Sequence, residues 1–402
     1  MTYRKILHLD LDAFFCAVEE QYDPSLRGKA FAVGGRPEAR GVVASCSYAA
    51  RRFGVRSAMP MARALKLCPD LTIVSSRHGV YSKVSRQVMQ HLHNLATVVE
   101  QISIDEAFLD VSDLPESGEA LARRLQATIH KECNLPCSLG VATNKLMAKI
   151  ANDVGKASYR GEGPPNAITV VPPGQEAAFL APLPVDTLWG VGPKTAERLH
   201  ELGIYTIGDL AGWSVDDLTR RFGKHGYDLA RRAQGIDDRP LETEHETKSI
   251  SQETTFSKDV RSGAVLRRTL LQQSESVGRR LRSAGLAGTT VKIKLRWPDF
   301  TTLTRQVTLD QPSNQDGEIF EAAITLLEEN WRSGQAVRLI GVGVSGLGSP
   351  VRQLSLWDDS AEKGRRLQSA LDELRERFGK DVLQRGAYFG APDDDATDEN
   401  AS

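Results

Sequence analysis

The chain has 402 residues, of which 40% are hydrophobic and 26% are charged, and its formal net charge is −1. This composition fits a globular protein of roughly two to four domains and excludes disordered and fibrous chains. No apolar run approaches the roughly 18 residues of a membrane span, and the N-terminus lacks the apolar core of a signal peptide. The five cysteines include no CxxC pair, so we expect thiols in a reducing compartment, the cytoplasm.

The net charge conceals a strong local pattern. Residues 258–305 carry eleven lysines or arginines and three acids, whereas residues 391–402 carry five acids and no base. The basic segment is either a patch that attracts phosphate or the solvated face of a helix, and charge alone leaves both open. The acidic tail is predicted to be disordered.

Residues 3–12 predict a strand whose side chains alternate between two faces. One face carries Leu7, Leu9 and Leu11, and the other carries His8, Asp10 and Asp12. A helix is predicted over 13–21, with Asp12 placed to cap it. Two short β-rich runs, 30–33 and 41–46, predict a small hairpin.

Further elements predict an α/β or α+β domain that ends near residue 175. Helices are predicted around 48–53, 59–67, 79–95, 117–131 and 144–152, and strands at 98–104, 107–111 and 137–142. Residues 182–235 are predicted to be helical, and the polar residues 236–247 to be a linker.

The C-terminal part again alternates strands and helices from 248 to 348, which predicts an α+β module that carries the basic segment. Residues 361–378 predict an amphipathic helix with Leu367, Leu371, Leu374 and Phe378 in one stripe. The sequence leaves open whether this stripe packs on the preceding module or on a partner.

Three carboxylates lie beside apolar strands: Asp10 at the end of one, and Asp105 and Glu106 between two others. If these strands end side by side, the carboxylates converge and favour a hard divalent cation such as Mg²⁺. The alternative is that Asp10 and Asp12 cap a helix and Asp105-Glu106 forms a hairpin turn.

Three motifs together resemble those of the Y-family translesion DNA polymerases, in the same order and with the same spacing. They are Leu9–Phe15 (LDLDAFF), Ser45–Val55 (SCSYAARRFGV) and Ser103–Asp110 (SIDEAFLD). The resemblance runs from about residue 5 to about residue 357.

This resemblance implies a multidomain α+β fold, a right-hand polymerase. Its parts would be a palm over 1–175 with fingers inserted near 13–77, a helix-hairpin-helix thumb over 176–235, the linker 236–247, a little finger over 248–350, and a tail over 351–402. It also implies a low-fidelity, template-directed DNA polymerase without proofreading. The expected enzyme is a monomer that acts on primer–template DNA and dNTPs in the cytoplasm, near the nucleoid.

The resemblance also implies roles for individual residues. Asp10, Asp105 and Glu106 would be catalytic and would bind two Mg²⁺ ions, together with the carbonyl oxygen of Leu11, whereas Asp12 would remain a cap. The incoming nucleotide would contact Phe14, Phe15, Ser45, Tyr48, Arg51 and Lys156. Phe15 matches the steric gate that excludes a ribose 2′-hydroxyl, although a core aromatic side chain is the alternative. Ala32 and Ala44 suggest room above the nascent base pair.

Two further segments resemble binding motifs. Gly190, Val191, Gly192 and Lys194 resemble a helix-hairpin-helix, whose glycines let the backbone approach a DNA phosphate. Gln353, Leu354, Ser355, Leu356 and Trp357 resemble the motif that binds the bacterial sliding clamp, with Trp357 where the pattern usually has Phe. The alternative for this segment is packing on the protein itself.

Two other functions compete with the polymerase. A non-enzymatic adaptor would keep the hand and lose the carboxylates, yet Asp10, Asp105 and Glu106 are all present. A cyclase with a palm-like fold would have no use for the hairpin, the basic module or the clamp-like segment.

Overall fold

The computed structural model describes residues 3–244, 246–350 and 360–379. The chain forms two compact units: residues 1–37 with 41–245, and residues 38–40 with 246–402. In the described part, no helix is long and apolar enough to cross a membrane. The clamp-like segment Gln353–Trp357 and the acidic residues 391–402 lie outside the described residues.

A five-stranded sheet forms the centre of the first unit. Its strands are β1 (Ile6–Leu11), β5 (Val98–Gln101), β6 (Glu106–Asp110), β7 (Cys137–Ala142) and β8 (Ile168–Val170). They stand in the order β5-β6-β1-β7-β8, and β1 is antiparallel to both of its neighbours. The alternation predicted for β1 is confirmed, because Leu7, Leu9 and Leu11 pack in one core and Ile6 packs in another.

Helices cover both faces of this sheet. The two long helices α4 (His78–Leu95) and α5 (Gly118–Cys133) contribute buried side chains to the core that holds Leu9. Helix α6 (Lys145–Ser158) packs on β1 and β7, where the other core lies. The remaining helices are α1 (Phe14–Tyr22), α2 (Tyr48–Arg52), α3 (Met61–Leu67), α7 (Glu176–Leu180), α8 (Pro193–His200), α9 (Ile207–Ala211), α10 (Val215–Phe222) and α11 (Lys224–Ala233).

Gly140 in β7 makes the close contact with α6 possible. A Cβ atom at this position would lie 1.8 Å from the carbonyl oxygen of Ala148 and 2.7 Å from the backbone nitrogen of Asn152. Only a residue without a side chain leaves room for the backbone of α6 at this distance. The position of α6, and of every side chain that it directs at the sheet, therefore depends on Gly140.

A smaller sheet contains β2 (Phe31–Gly34), β3 (Val43–Cys46) and β4 (Thr72–Val74). The antiparallel pairing of β2 with β3 confirms the predicted hairpin, and β4 joins β2 in parallel. Strands β4 and β8 were not predicted, because each has only three residues and carries too little pattern.

The second unit contains a four-stranded antiparallel sheet with helices on one face. Its strands are β9 (Ser249–Val260), β10 (Ala287–Arg296), β11 (Thr302–Ser313) and β12 (Val337–Gly348), in the order β11-β10-β12-β9. Helices α12 (Gly263–Ser283) and α13 (Asp316–Asn330) pack on the sheet through one apolar core. This arrangement confirms the predicted α+β module.

The basic side chains of residues 258–305 do not all lie on one surface. In β10, Val291 and Ile293 face the core with the helices, so Lys292 and Lys294 between and beyond them face the opposite side of the sheet. On α12, the side chain of Arg282 is largely buried. It lies 2.9 Å from Asp316 and 2.6 Å from Asp372, and Arg267 lies 2.7 Å from Glu328. Charge alone left a phosphate-attracting patch and a solvated helix face both open, and in the structure the bases are divided between the outer face of the sheet and ion pairs on α12.

Helix α14 (Ser360–Phe378) belongs to the second unit and contacts α12 and α13 through polar side chains. Gln368 is buried and donates to Asp316 at 2.7 Å, and Asp372 accepts from Arg282. Leu367 and Phe378 are 62% and 66% exposed. The predicted apolar stripe is therefore not the side that packs on α12 and α13.

Candidate active site

Two neighbouring strands bring the predicted carboxylates together. Asp10 stands opposite Glu106 in the antiparallel register of β1 and β6. The backbone N–H of Leu11 donates to the carbonyl oxygen of Asp105 at 3.0 Å, which holds Asp105 beside the end of β1. The sequence alone did not establish this adjacency, because nearly 100 residues separate the two strands.

Helix α6 lays a polar stripe over this end of the sheet. Lys145, Lys149, Asn152 and Lys156 follow one another at intervals of four, three and four residues, which places them on one face of the helix. Their partners on the sheet are Glu100 for Lys145 (2.6 Å), Glu106 for Lys149 (2.9 Å), His8 for Asn152 (3.0 Å) and Asp10 for Lys156 (2.5 Å). The three ammonium groups of the stripe thus pair with four carboxylates, because Lys156 also lies 3.3 Å from Asp12.

Asp12 is not a helix cap. Helix α1 follows Ala13, which has φ 48°, and no side chain caps the helix. The Asp12 carboxylate is fully buried and accepts hydrogen bonds from the Ser138 hydroxyl at 2.9 Å and the Asn166 backbone N–H at 3.1 Å. The capping prediction is therefore wrong, because the Asp12 side chain instead accepts hydrogen bonds from β7 and from the segment before β8.

The charges at the site shift the pKa values of its groups. Burial alone would raise the pKa of Glu106, but His8 and Lys149 outweigh burial and lower the pKa to about 2. Burial alone would lower the pKa of Lys156, but the charges of Asp10 and Asp12 raise it. Glu106 and Lys156 therefore both remain charged at neutral pH.

The carboxylate oxygens are donors of the kind that divalent cations prefer. The pKa of Asp105 is raised, first by burial and also by the neighbouring charges of Asp10 and Glu106, so the three carboxylates repel one another. Residues 3–244, 246–350 and 360–379 contain no group of three or more His, Cys, Asp or Glu side chains arranged to hold a metal ion. Lysines of α6 instead contact Asp10 and Glu106. The chemistry of the donor set fits a divalent cation.

The residues of the second motif lie around the start of α2. The Arg51 guanidinium lies 4.5 Å from the centre of the Tyr48 ring, and its Nε donates to the carbonyl oxygen of Cys46 at 3.4 Å. Burial raises the pKa of Tyr48, so its hydroxyl remains protonated. Ser45 is buried, and its hydroxyl oxygen lies 3.5 Å from the Cys16 sulfur. A cavity of about 430 Å³ adjoins this group and includes Tyr48 in its lining.

Phe15 is half-buried and stacks on Tyr81, with ring centres 4.2 Å apart and an angle of 13° between the rings. The fully buried Tyr81 is itself fixed, because its hydroxyl donates to Glu19 at 2.5 Å. Phe14 is buried in the core of the sheet, only 2% exposed, and its ring centre lies 5.6 Å from that of Phe15. Of these two phenylalanines, only Phe15 is partly exposed.

The two alanines expected above the base pair have different surroundings. Ala32 is fully buried in the core of the small sheet, so its side chain cannot line a roof over a nucleotide. Ala44 on β3 is exposed. The expectation is thus wrong for Ala32, because its position in β2 turns it inward.

The predicted hairpin in the helical region has the local geometry of a close backbone approach. Gly190 has φ 102°, and Gly192 precedes the first turn of α8 with nothing within 4 Å of its missing Cβ position. Lys194, in the first turn of α8, is exposed. Backbone N–H groups at such an open helix start can reach an anion.

Comparisons with known proteins match this arrangement. Three family profiles fit the chain: the impB/mucB/samB family over residues 9–153, the helix-hairpin-helix motif of the same family over 173–204, and its C-terminal domain over 247–356. DNA polymerase IV of Listeria monocytogenes is 42% identical over 349 residues, which is 86% of this chain and 96% of the relative. That of Dehalococcoides mccartyi is 39% identical over 98% of this chain and 100% of the relative.

The chain belongs to the Y-family of DNA polymerases. A solved Y-family DNA polymerase chimera, Dbh-Dpo4(243-245)-Dbh, has a TM-score of 0.75 and 27% identity, covering 86% of this chain and 99% of the chimera. The protein is therefore a template-directed DNA polymerase that uses a DNA template and dNTPs. Its fold is that of the family, with a helix-hairpin-helix motif and a C-terminal little-finger domain.

Sequence reasoning missed most of the α6 stripe. Only Lys156 was predicted, and Lys145, Lys149 and Asn152 were not. The signal was present as polar residues at helical spacing within a helix that also carries buried apolar side chains such as Leu146 and Ile150. The positions of their partners could not be read from the same signal.

Proposed function

We propose that this polymerase performs low-fidelity translesion synthesis with two Mg²⁺ ions held by Asp10, Asp105, Glu106 and the carbonyl oxygen of Leu11. The main support is the register that sets Asp10 opposite Glu106, with Asp105 adjacent. When bound, the ions would supply activation of the attacking oxygen and stabilisation of the leaving one. The primer 3′-hydroxyl attacks the α-phosphorus of the dNTP, and pyrophosphate leaves.

In the same proposal, Tyr48, Arg51 and Lys156 bind the triphosphate, with Ser45 beside them. The guanidinium of Arg51 offers planar paired donors that suit phosphate oxygens. Lys156 carries its charge on a flexible stem, so its ammonium can exchange a carboxylate oxygen for a phosphate oxygen. Phe14 would contribute through its backbone, since its ring is buried.

Phe15 is proposed as the steric gate. Its ring stacks on Tyr81, and the exposed part of its side chain would face the sugar. A ring fixed in this way excludes a 2′-hydroxyl because it cannot retreat into the core. We also propose that Gly190, Val191, Gly192 and Lys194 contact the DNA backbone without reading its sequence.

The domain limits follow from the same proposal. The palm and fingers would occupy 1–175, the thumb 176–235, the linker 236–247 and the little finger 248–350. Within the proposed linker, the side chain of Asp237 accepts from the Leu146 N–H at 3.1 Å, and the Glu242 N–H donates to Glu100 at 2.9 Å. The proposed linker is therefore bonded to the first unit at two of its residues.

We further propose a monomer that binds the bacterial sliding clamp through Gln353–Trp357, in the cytoplasm near the nucleoid. The support is the sequence of this segment and the bacterial origin of the relatives. Replacing Leu356 and Trp357 together by alanine should abolish stimulation by the clamp and leave distributive synthesis intact. Clamp-dependent extension that survives in this variant would contradict the assignment.

The central test is extension of a primed template with Mg²⁺ and single dNTPs. The wild-type protein should add the templated nucleotide, whereas the Asp105→Ala/Glu106→Ala variant should not. Lesion-bearing templates and a mismatched primer end, which a proofreading enzyme would trim, then test bypass and the absence of proofreading. Templated addition by the double variant at the wild-type rate would refute the proposed metal site.

A further inference from the structure

The Glu106 carboxylate is held by groups that no role above requires. Lys149 Nζ donates to Glu106 Oε1 at 2.9 Å, and the side chains of both residues are only 18% exposed. His8 Nε2 lies 3.3 Å from the same oxygen but does not form a hydrogen bond with it. Lys149 therefore holds Oε1 by a hydrogen bond, and His8 lies beside the same oxygen without making one.

The side chain of Asn152 determines which nitrogen of the His8 ring carries the proton. Its Nδ2 lies 3.1 Å from the carbonyl oxygen of Ser138 and 3.0 Å from His8 Nδ1. A carbonyl oxygen only accepts, so the amide nitrogen must be the atom that points there. The amide therefore donates to Nδ1, and the neutral ring carries its proton on Nε2, toward Glu106.

These contacts restrict a side chain that is otherwise free to rotate. A glutamate has three rotatable bonds, and an ammonium group that binds one oxygen selects a few of its conformers. Lys149 is in turn fixed, because α6 lies against Gly140 at backbone distance. Groups that orient a metal-binding side chain typically contribute 10- to 100-fold to metal affinity or activity.

We propose that Lys149 is a positioning residue for Glu106 in nucleotidyl transfer, supported by His8 in the tautomer that Asn152 selects. Lys149 holds Oε1, so that Oε2 is the oxygen offered to the reaction. This inference rests on the proposed role of Glu106.

The test is the rate of single-nucleotide insertion under single-turnover conditions, with enzyme in excess over primed DNA. Lys149→Met should lower the maximal rate about tenfold and leave the apparent Kd for dNTP within twofold, because Glu106 is misplaced while triphosphate contacts remain. Lys149→Arg, which keeps a cationic donor, should stay within threefold of the wild type. Lys131→Met removes an exposed lysine from α5 and should change neither value.

A double-mutant cycle separates positioning from general damage to the fold. We expect Glu106→Gln to be slow but measurable with excess enzyme. In that background Lys149→Met should cost less than twofold, because the group that it positions is already altered. A full tenfold loss in that background would overturn the proposal. If Lys149→Met melts below the assay temperature, Lys149→Gln replaces it in the cycle, with the same expectation.

Two other outcomes distinguish this inference from the proposed function. Wild-type rates for Lys149→Met beside a slow Glu106→Gln would overturn the positioning role and keep the role of Glu106. A wild-type rate for Glu106→Gln would overturn both.

Discussion

Gly140→Ala is the substitution that most directly tests how the site is assembled. The new Cβ would lie 1.8 Å from the Ala148 carbonyl oxygen, which is backbone and cannot rotate away. Helix α6 must then move off the sheet by more than 1 Å to restore a van der Waals distance. Overpacking typically costs about 1–3 kcal/mol.

The displacement has a second cost, because α6 carries Lys145 and its buried pair with Glu100, where both side chains are 5% exposed. Complete separation of such a pair costs about 3–5 kcal/mol, and partial separation costs less. We therefore expect Gly140→Ala to destabilise the first unit by about 3 kcal/mol or more. For a unit of about 240 residues, this lowers its melting temperature by roughly 6–12 °C.

Differential scanning calorimetry measures this change, with primer extension as the readout of the site. Gly79→Ala is the matched control, since Gly79 lies in α4 with nothing within 4 Å of its Cβ position. Its melting temperature should be unchanged or slightly higher, because alanine favours the helix. A Gly140→Ala protein that melts within 2 °C of the wild type and extends primers normally would refute this account of how α6 is held.

Three further outcomes are expected. Lys145→Met should destabilise the first unit by about 3–5 kcal/mol, since it leaves the buried Glu100 carboxylate without its counter-ion. Adding Glu100→Leu should recover more than half of the loss in calorimetry, and no recovery would contradict the pairing argument. Phe15→Ala should raise insertion of ATP relative to dATP far more than it lowers the melting temperature, and unchanged discrimination would count against the gate. Burial raises the pKa of Cys16 to about 12, so this thiol stays protonated from pH 8 to pH 10 and should not react faster with Ellman's reagent over that range. The partly exposed Cys133 should be the one fast thiol at pH 8, against five in guanidinium chloride; additional fast thiols in the native protein would contradict the burial of the others.

The proposed active site shows how far a motif can be read. The resemblance of the motifs to those of the family singled out Asp10, Asp105 and Glu106 as candidate ligands, whereas the alternating leucines predicted only that Asp10 lies on the face opposite Leu9. The motifs did not predict which residues donate hydrogen bonds to these acids. The capping role given to Asp12 was wrong because its donors, Ser138 and Asn166, are more than 120 residues away in the chain.

The second unit shows the same limit for charge. The number of bases in 258–305 does not show which way each side chain faces. Alternation in β10 turns Lys292 away from the helices, whereas Arg282 on α12 is largely buried between Asp316 and Asp372. The sequence left open where the apolar stripe of α14 packs, and in the structure Gln368 and Asp372 make the contacts while Leu367 remains exposed.

The sequence by itself determined most strands and helices, although not the short β4 and β8, together with the resemblance to the Y-family and the choice of Asp10, Asp105 and Glu106 as candidate metal ligands. These depend on local periodicity and on motifs whose residues are close in the chain. Only the tertiary structure decided that Lys149, Asn152 and Lys156 stand over the sheet carboxylates. That pairing depends on the distance at which α6 packs, which Gly140 permits and which no local pattern encodes.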